Sequence, residues 1–135
     1  MSRDVLWDGS FHWGEWCEPG EPGPAGDPIA WFTADKGEVG TAYLYRSVST
    51  LATIAGERGI AGTPYAEIAV RIRDAWRTGF LDTGMRTQAN RVRALAFGLV
   101  PAERRAEIAD RLVALVRDTA GPGHTVMRTG AGEPG

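Results

Sequence analysis

The segment TAYLYRSVSTLATIAGERG, residues 41–59, carries apolar side chains at intervals of three and four residues. This spacing predicts an amphipathic helix over about Thr41–Arg58. Its apolar stripe comprises Leu44, Val48, Leu51 and Ala55. Gly59 predicts the end of the helix, because glycine readily adopts the left-handed conformation that follows a helix C-terminus. The same period continues from residue 41 to Asp118, so the sequence indicates a helical fold class.

Three further helices follow from the same period. The second helix is expected to start at Thr63 and Pro64, with Thr63 as its N-cap and Pro64 as its first helical residue. The next helix is expected over about Thr87–Phe97, and Pro101 precedes a last one along Ala102–Asp118. The predicted inward-facing residues are, in chain order, Tyr65, Ile68, Ile72, Ala75 and Trp76, then Val92, Leu95, Ala96 and Leu99, then Ile108, Ala109, Leu112, Leu115 and Val116.

The connections between these helices are short, which makes successive helices antiparallel neighbours. The sequence therefore predicts an all-α fold of consecutive αα-hairpins, without the alternation that a sheet requires. We expect residues 1–36 to form an aromatic loop region, residues 37–120 to form the four helices, and residues 121–135 to form a frayed tail. The two predicted hairpins share no residue pattern that would indicate a repeat.

Composition excludes several classes of function. The 135 residues carry a formal net charge of -2, which disfavours a nucleic-acid partner. Cys17 is the only cysteine, so it forms no internal disulfide and belongs to no cysteine-rich zinc site. No apolar run reaches the ~20 residues of a membrane span, and no signal peptide is visible. We expect a cytoplasmic protein with no membrane partner, no cofactor and no metal.

The segment HWGEWCEPGEPGPAGDP, residues 12–28, places two of the five tryptophans in a loop rich in proline, glycine and acids. Two uses of such tryptophans stay open. Trp7, Trp13, Trp16 and Trp31 could plug the open end of a helical layer. Alternatively, indoles could stack on a sugar ring while nearby carboxylates accept hydrogen bonds from its hydroxyls. A catalytic pair of Glu15 and Glu18 has little support, because a flexible loop fixes no separation between them.

The order of several motifs resembles the catalytic domain of bacterial α-L-rhamnosidases, glycoside hydrolase family 78. The motifs are Gly14-Glu15-Trp16, where the family has Gly-Asp-Trp, then the helix Ala52–Ala55 ending in Arg58-Gly59, then Ile72-Arg73 to Phe80, then Thr87-Gln88, and finally the Gly98–Pro101 turn. The resemblance covers roughly residues 7–130.

This resemblance implies part of an (α/α)6 toroid whose sugar cleft is lined by loops at one end. Trp16 would match an aromatic residue that contacts rhamnose, Glu15 a neighbouring acid, and Trp13 a further contact. Trp76 is expected to be a core residue. The family hydrolyses terminal α-L-rhamnosides with an inverting acid and base pair.

Both members of that pair come from segments that this sequence does not match, so no catalytic residue is assigned. We therefore expect a fragment of a rhamnosidase-like hydrolase without independent activity. Its exposed apolar helix faces would favour self-association. The alternative is a non-catalytic helical interaction module or a sugar-binding module.

Overall fold

The computed structural model describes residues 5–7 and 26–119, and within them the regular structure is helical, without strands. The α-helices are α1 (Pro28–Thr33), α2 (Gly37–Glu57), α3 (Tyr65–Phe80), α4 (Gln88–Ala96) and α5 (Arg105–Thr119). A 3-10 turn, Ala102–Arg104, leads into α5.

The helices form two consecutive hairpins. Helix α2 packs along α3, and α4 packs against α5, while a smaller contact between α2 and α4 joins the two pairs. The prediction of an all-α fold of antiparallel αα-hairpins is confirmed.

Helix α2 begins four residues before the predicted Thr41. The extra turn contains Gly37 and Gly40, which carry no periodic signal. Gly40 is required by packing, because a Cβ atom there would lie 2.7 Å from Cγ of Trp7. At the other end, Gly59 has φ of 65°, so the predicted left-handed stop is confirmed.

The other helix starts depend on their caps. Helix α3 begins at Tyr65, with Pro64 as N-cap and no side-chain cap, so the expected Thr63 cap was wrong by one position. The carbonyl of Pro64 accepts the hydrogen bond of the Ile68 amide at 3.0 Å, which fixes the helix start at that residue. Helix α4 starts after Thr87, whose side chain accepts a hydrogen bond from the backbone amide of Asn90.

The core lies between the two hairpins. Its buried residues are Ala42, Trp76, Leu81, Met85, Ala94, Leu99, Val100 and Ile108. The expected burial of Trp76 is confirmed, since its side chain is fully enclosed.

Helix α4 presents only part of the predicted face to the core: Leu95 packs against the core and Leu99, just after the helix, is fully buried. Val92 is 50% exposed and Ala96 is exposed, whereas Arg93 and Ala94 are buried. The reason is electrostatic, because Arg93 turns inward to form an ion pair with Glu38 on α2. Leu51 on α2 and Val116 on α5, which were also predicted to face inward, are exposed.

Helix α1 lies in the segment predicted to be loop. Its N-cap is Asp27, whose carboxylate accepts from the Ala30 amide at 3.0 Å, and Pro28 is at the first helical position. In the part of the chain that the structure describes, no helix has the length and apolar character needed to cross a membrane.

Candidate functional site

A cleft of about 520 Å³ opens at the end of the hairpins where α2 and α4 begin and α3 ends. One side, here called the first wall, consists of Trp31, Asp35 and Lys36. The Lys36 ammonium donates to the Trp31 carbonyl at 2.8 Å and lies 4.1 Å from the centroid of the Trp31 ring. The Asp35 carboxylate accepts from the Gly37 amide at 2.8 Å. The first wall is therefore attached to the first turn of α2.

The opposite side, here called the second wall, consists of Arg86, Thr87 and Asn90. Thr87 and Asn90 form a capping box at the start of α4, in which each side chain bonds to the backbone of the other. The Arg91 guanidinium donates to the carbonyl of Arg86 at 3.0 Å and to that of Thr87 at 3.2 Å. These bonds fix the path of the backbone that leads into α4.

Glu38 lies at the base of the cleft and is 8% exposed. Its Oε1 accepts from the indole N–H of Trp76 at 3.1 Å. Its Oε2 accepts from the side-chain amide of Asn90 at 2.8 Å and from the guanidinium of Arg93 at 2.5 Å. Both oxygens are therefore occupied by donors, and the negative charge is balanced by a buried arginine.

The pKa shifts that stand out lie away from this cleft. Arg104 donates to Glu107 at 3.0 Å and to Asp82 at 2.6 Å. The hydrogen bond to Glu107, followed by that to Asp82, raises the pKa of Arg104. The hydrogen bond from Arg104 lowers the pKa of Glu107. These groups are at the protein surface, where the pairing stabilises the turn before α5.

The predicted sugar contacts Trp13, Glu15 and Trp16 lie outside the described residues. The cleft also involves Glu38, Asn90 and Arg93, which no sequence motif indicated. Glu38 is 52 residues from Asn90 and 55 from Arg93 along the chain, and no local motif joins it to them. Polar residues at positions that face other helices are the signal that could have found them. Among residues 5–7 and 26–119, no group of histidine, cysteine, aspartate and glutamate could bind a metal ion.

The cleft combines an aromatic wall with a few fixed polar groups, which is the usual composition of a small-molecule site. The α-L-rhamnosidase of Streptomyces avermitilis is 36% identical to this chain over 85 residues, which are 60% of this chain and 8% of that enzyme. The chain thus spans a small part of that relative. No solved structure matches the chain.

Residues 1–130 match the family described as the bacterial alpha-L-rhamnosidase 6 hairpin glycosidase domain. The match covers nearly the whole chain, and the helical hairpins agree with it. The chain belongs to the bacterial α-L-rhamnosidase six-hairpin glycosidase family.

Proposed function

We propose that this chain supplies part of the sugar-binding end of an enzyme that hydrolyses terminal α-L-rhamnosides. The observation that carries the proposal is the family match over residues 1–130. The cleft between the two walls supports it, because sugar rings stack their C–H faces on indoles and exchange hydrogen bonds with carboxylates, amides and guanidinium groups. Trp31 supplies the indole, and Asp35, Arg86 and Asn90 supply the polar groups.

Trp16, Glu15 and Trp13 are proposed as further contacts to the sugar. They precede α1 in the sequence, and α1 carries Trp31 of the first wall. The proposal gives Trp16 the stacking role and Glu15 a hydrogen bond to a hydroxyl.

The inverting mechanism that we propose for the enzyme needs a carboxylic acid to protonate the leaving oxygen and a carboxylate to activate water. These two groups are about 6.5 to 9.5 Å apart in inverting glycosidases. Glu38 suits neither role, since both of its oxygens accept hydrogen bonds from buried donors. We therefore propose that the acid and the base come from other parts of the toroid, and that this chain has no activity alone.

Exposed apolar side chains support a larger assembly. Leu51 and Ile54 share one face of α2, and Val113 and Val116 lie on α5, each between 44% and 49% exposed. Apolar faces of this kind are typical of helices that pack against further elements. We propose that they contact neighbouring hairpins of the toroid; a separate protein partner, as in a helical interaction module, is the competing function.

The test is a graft into the Streptomyces relative. The 85 matched residues of that enzyme are replaced by the corresponding residues of this chain. Hydrolysis of p-nitrophenyl α-L-rhamnopyranoside is then followed for the chimera, for the parent enzyme, for the parent lacking the segment, and for this chain alone. The anomer released first is identified by proton NMR.

We expect the chimera to hydrolyse the substrate and to release the β anomer, and we expect this chain alone to be inactive. Turnover by the chain alone would contradict the assignment of acid and base to other segments. A folded but inactive chimera would contradict the rhamnosidase role and favour the interaction module. Release of the α anomer would contradict inversion.

A further inference from the structure

Glu38 connects three helices at one point. It lies in the first turn of α2, while its partners are Trp76 on α3 and Asn90 and Arg93 on α4. The three donors approach two oxygens at 2.5 to 3.1 Å. Glu38 and Arg93 are less than a tenth exposed, and Trp76 is fully enclosed. Hydrogen bonds of this kind are directional, so the carboxylate sets both the distance and the rotation of α4 relative to α2.

The second wall depends on this connection through Asn90. The amide nitrogen of Asn90 donates to Glu38, which determines the direction of its amide oxygen. That oxygen accepts from the backbone amide of Thr87 at 3.1 Å and from its hydroxyl at 2.9 Å. The position of Thr87, and of Arg86 before it, is therefore fixed by a residue on α2.

The first wall depends on the same residue through the backbone. Lys36 is two residues before Glu38, and Asp35 caps the Gly37 amide at the start of α2. The Lys36 ammonium reaches back to the Trp31 carbonyl. The first wall thus adjoins the backbone turn that carries Glu38, and the second wall contacts the Glu38 side chain through Asn90.

We infer that Glu38 is a positioning residue for the cleft. It acts through Asn90 and Arg93 and does not contact the sugar. It fixes the spacing between the first wall and the second wall, and thereby the affinity for a rhamnoside. The inference rests on the proposed function for the identity of this ligand, whereas the positioning itself rests on the contacts of Glu38.

A carboxylate is required at this position because all three neighbouring groups are donors. Glutamine has nearly the same shape but offers one oxygen and one NH₂ group. Whichever way its amide turns, an N–H faces another N–H, and at least one buried donor loses its acceptor. Glu38→Gln therefore weakens the connection with little change in side-chain volume.

The test compares the full chain, its Glu38→Gln variant and an Ile108→Ala variant. Ile108 is 1% exposed, lies on α5 and does not line the cleft, so it is a control for general loss of stability. Amide hydrogen exchange is measured by NMR for every helix. Methyl α-L-rhamnopyranoside is then titrated into each protein, and its Kd is obtained from chemical-shift changes.

In Glu38→Gln we expect exchange to be about tenfold faster at residues 36–40 and 87–91 than in the original chain, with smaller changes in the middle of α3 and α5. We expect Kd to rise by about the same factor. In Ile108→Ala, exchange should rise mainly in α5 and the hairpin core, and Kd should change by less than about twofold.

If exchange in Glu38→Gln were accelerated equally in all helices, the inference would be overturned. It would also be overturned if exchange were accelerated only at residues 36–40 and 87–91 while the Kd for the rhamnoside stayed unchanged. If the original chain does not bind the rhamnoside, the ligand named here fails, while the activity of the chimera decides the proposed function separately. The exchange pattern would still decide whether Glu38 fixes the two walls. A variant too unstable for NMR would be replaced by Glu38→Asp, for which the same pattern is expected because its shorter side chain cannot reach all three donors.

Discussion

The base of the cleft and the core between the hairpins are both buried, but they are held by opposite chemistry. At the base, Glu38, Asn90 and Arg93 meet through directional hydrogen bonds and an ion pair. In the core, Leu99 and Ile108 pack with other apolar side chains. Apolar contacts are not directional, so they stabilise the hairpins mainly through the surface area that they bury. We therefore expect both regions to stabilise the fold, and only the polar cluster to set the geometry of the cleft.

Arg93→Met should destabilise the base of the cleft most strongly. The substitution leaves the buried Glu38 charge without its cation, and we expect the free energy of unfolding to fall by about 3–5 kcal/mol. Urea unfolding followed by circular dichroism measures the change. The control is Arg73→Met, which removes a surface pair with Asp74 and should cost less than about 1 kcal/mol. Equal stability in both variants would mean that packing alone holds the base of the cleft.

A core truncation measures the apolar side of the comparison. Leu99→Ala removes a fully buried side chain and leaves a cavity, so we expect a loss of about 2–5 kcal/mol in the free energy of unfolding. The same urea experiment applies, with Val92→Ala as control because Val92 is 50% exposed on the same hairpin. If the polar cluster determines the geometry of the cleft, amide hydrogen exchange in Leu99→Ala should rise no more at residues 87–91 than in the rest of the chain. Selective acceleration there would assign the cleft geometry to the core.

The capping box at the start of α4 offers a smaller and sharper test. Thr87→Ala removes the hydroxyl that accepts from the Asn90 amide, and we expect a loss of about 1 kcal/mol. Thr87→Ser keeps a capping oxygen and should restore most of it. The melting temperatures of the two variants are compared by thermal unfolding. Indistinguishable melting temperatures would show that Glu38, and not the cap, holds Asn90 in place.

The smallest effect concerns the surface pair of Arg104 and Glu107. The hydrogen bond from Arg104 lowers the pKa of the Glu107 carboxyl in the folded protein below its ordinary value of 4.5. The associated stabilisation is therefore present above about pH 4.5 and is lost as the pH falls through the lower, folded value. We expect Arg104→Gln to raise the pKa of Glu107 toward 4.5, as followed by carbon-13 NMR of its carboxyl group.

Arg105→Gln is the matched control for that titration, since it removes a neighbouring exposed charge. An equal pKa change in both variants would mean that general charge, and not the hydrogen bond from Arg104, shifts Glu107. The pair lies at the surface, with the Arg104 side chain 30% and the Glu107 side chain 40% exposed, so it should contribute little beside the buried pair of Arg93 and Glu38.

Much of the fold could be predicted from the chain. The period of three and four residues located α2 and α3, and it identified Ile72 and Trp76 as buried. It wrongly placed Val92 and Ala96 of α4 in the core, although Leu95 and Leu99 do pack there, because a nine-residue helix holds only two turns and a half and its rotation follows the Arg93 ion pair. The candidate site was less accessible: Glu38 is an unremarkable acid in sequence, and its partners are 38 to 55 residues away.

The amino-acid sequence alone was enough to predict helices α2 to α5, the Gly59 stop and the family, because these depend on short-range periodicity, backbone preference and ordered motifs. The tertiary structure alone decided which polar residues meet beneath the cleft. Hydrogen bonds between residues distant in sequence depend on how helices are rotated and spaced after packing, and no local pattern contains that information. The same reason explains why Arg93, and not Val92, faces the core.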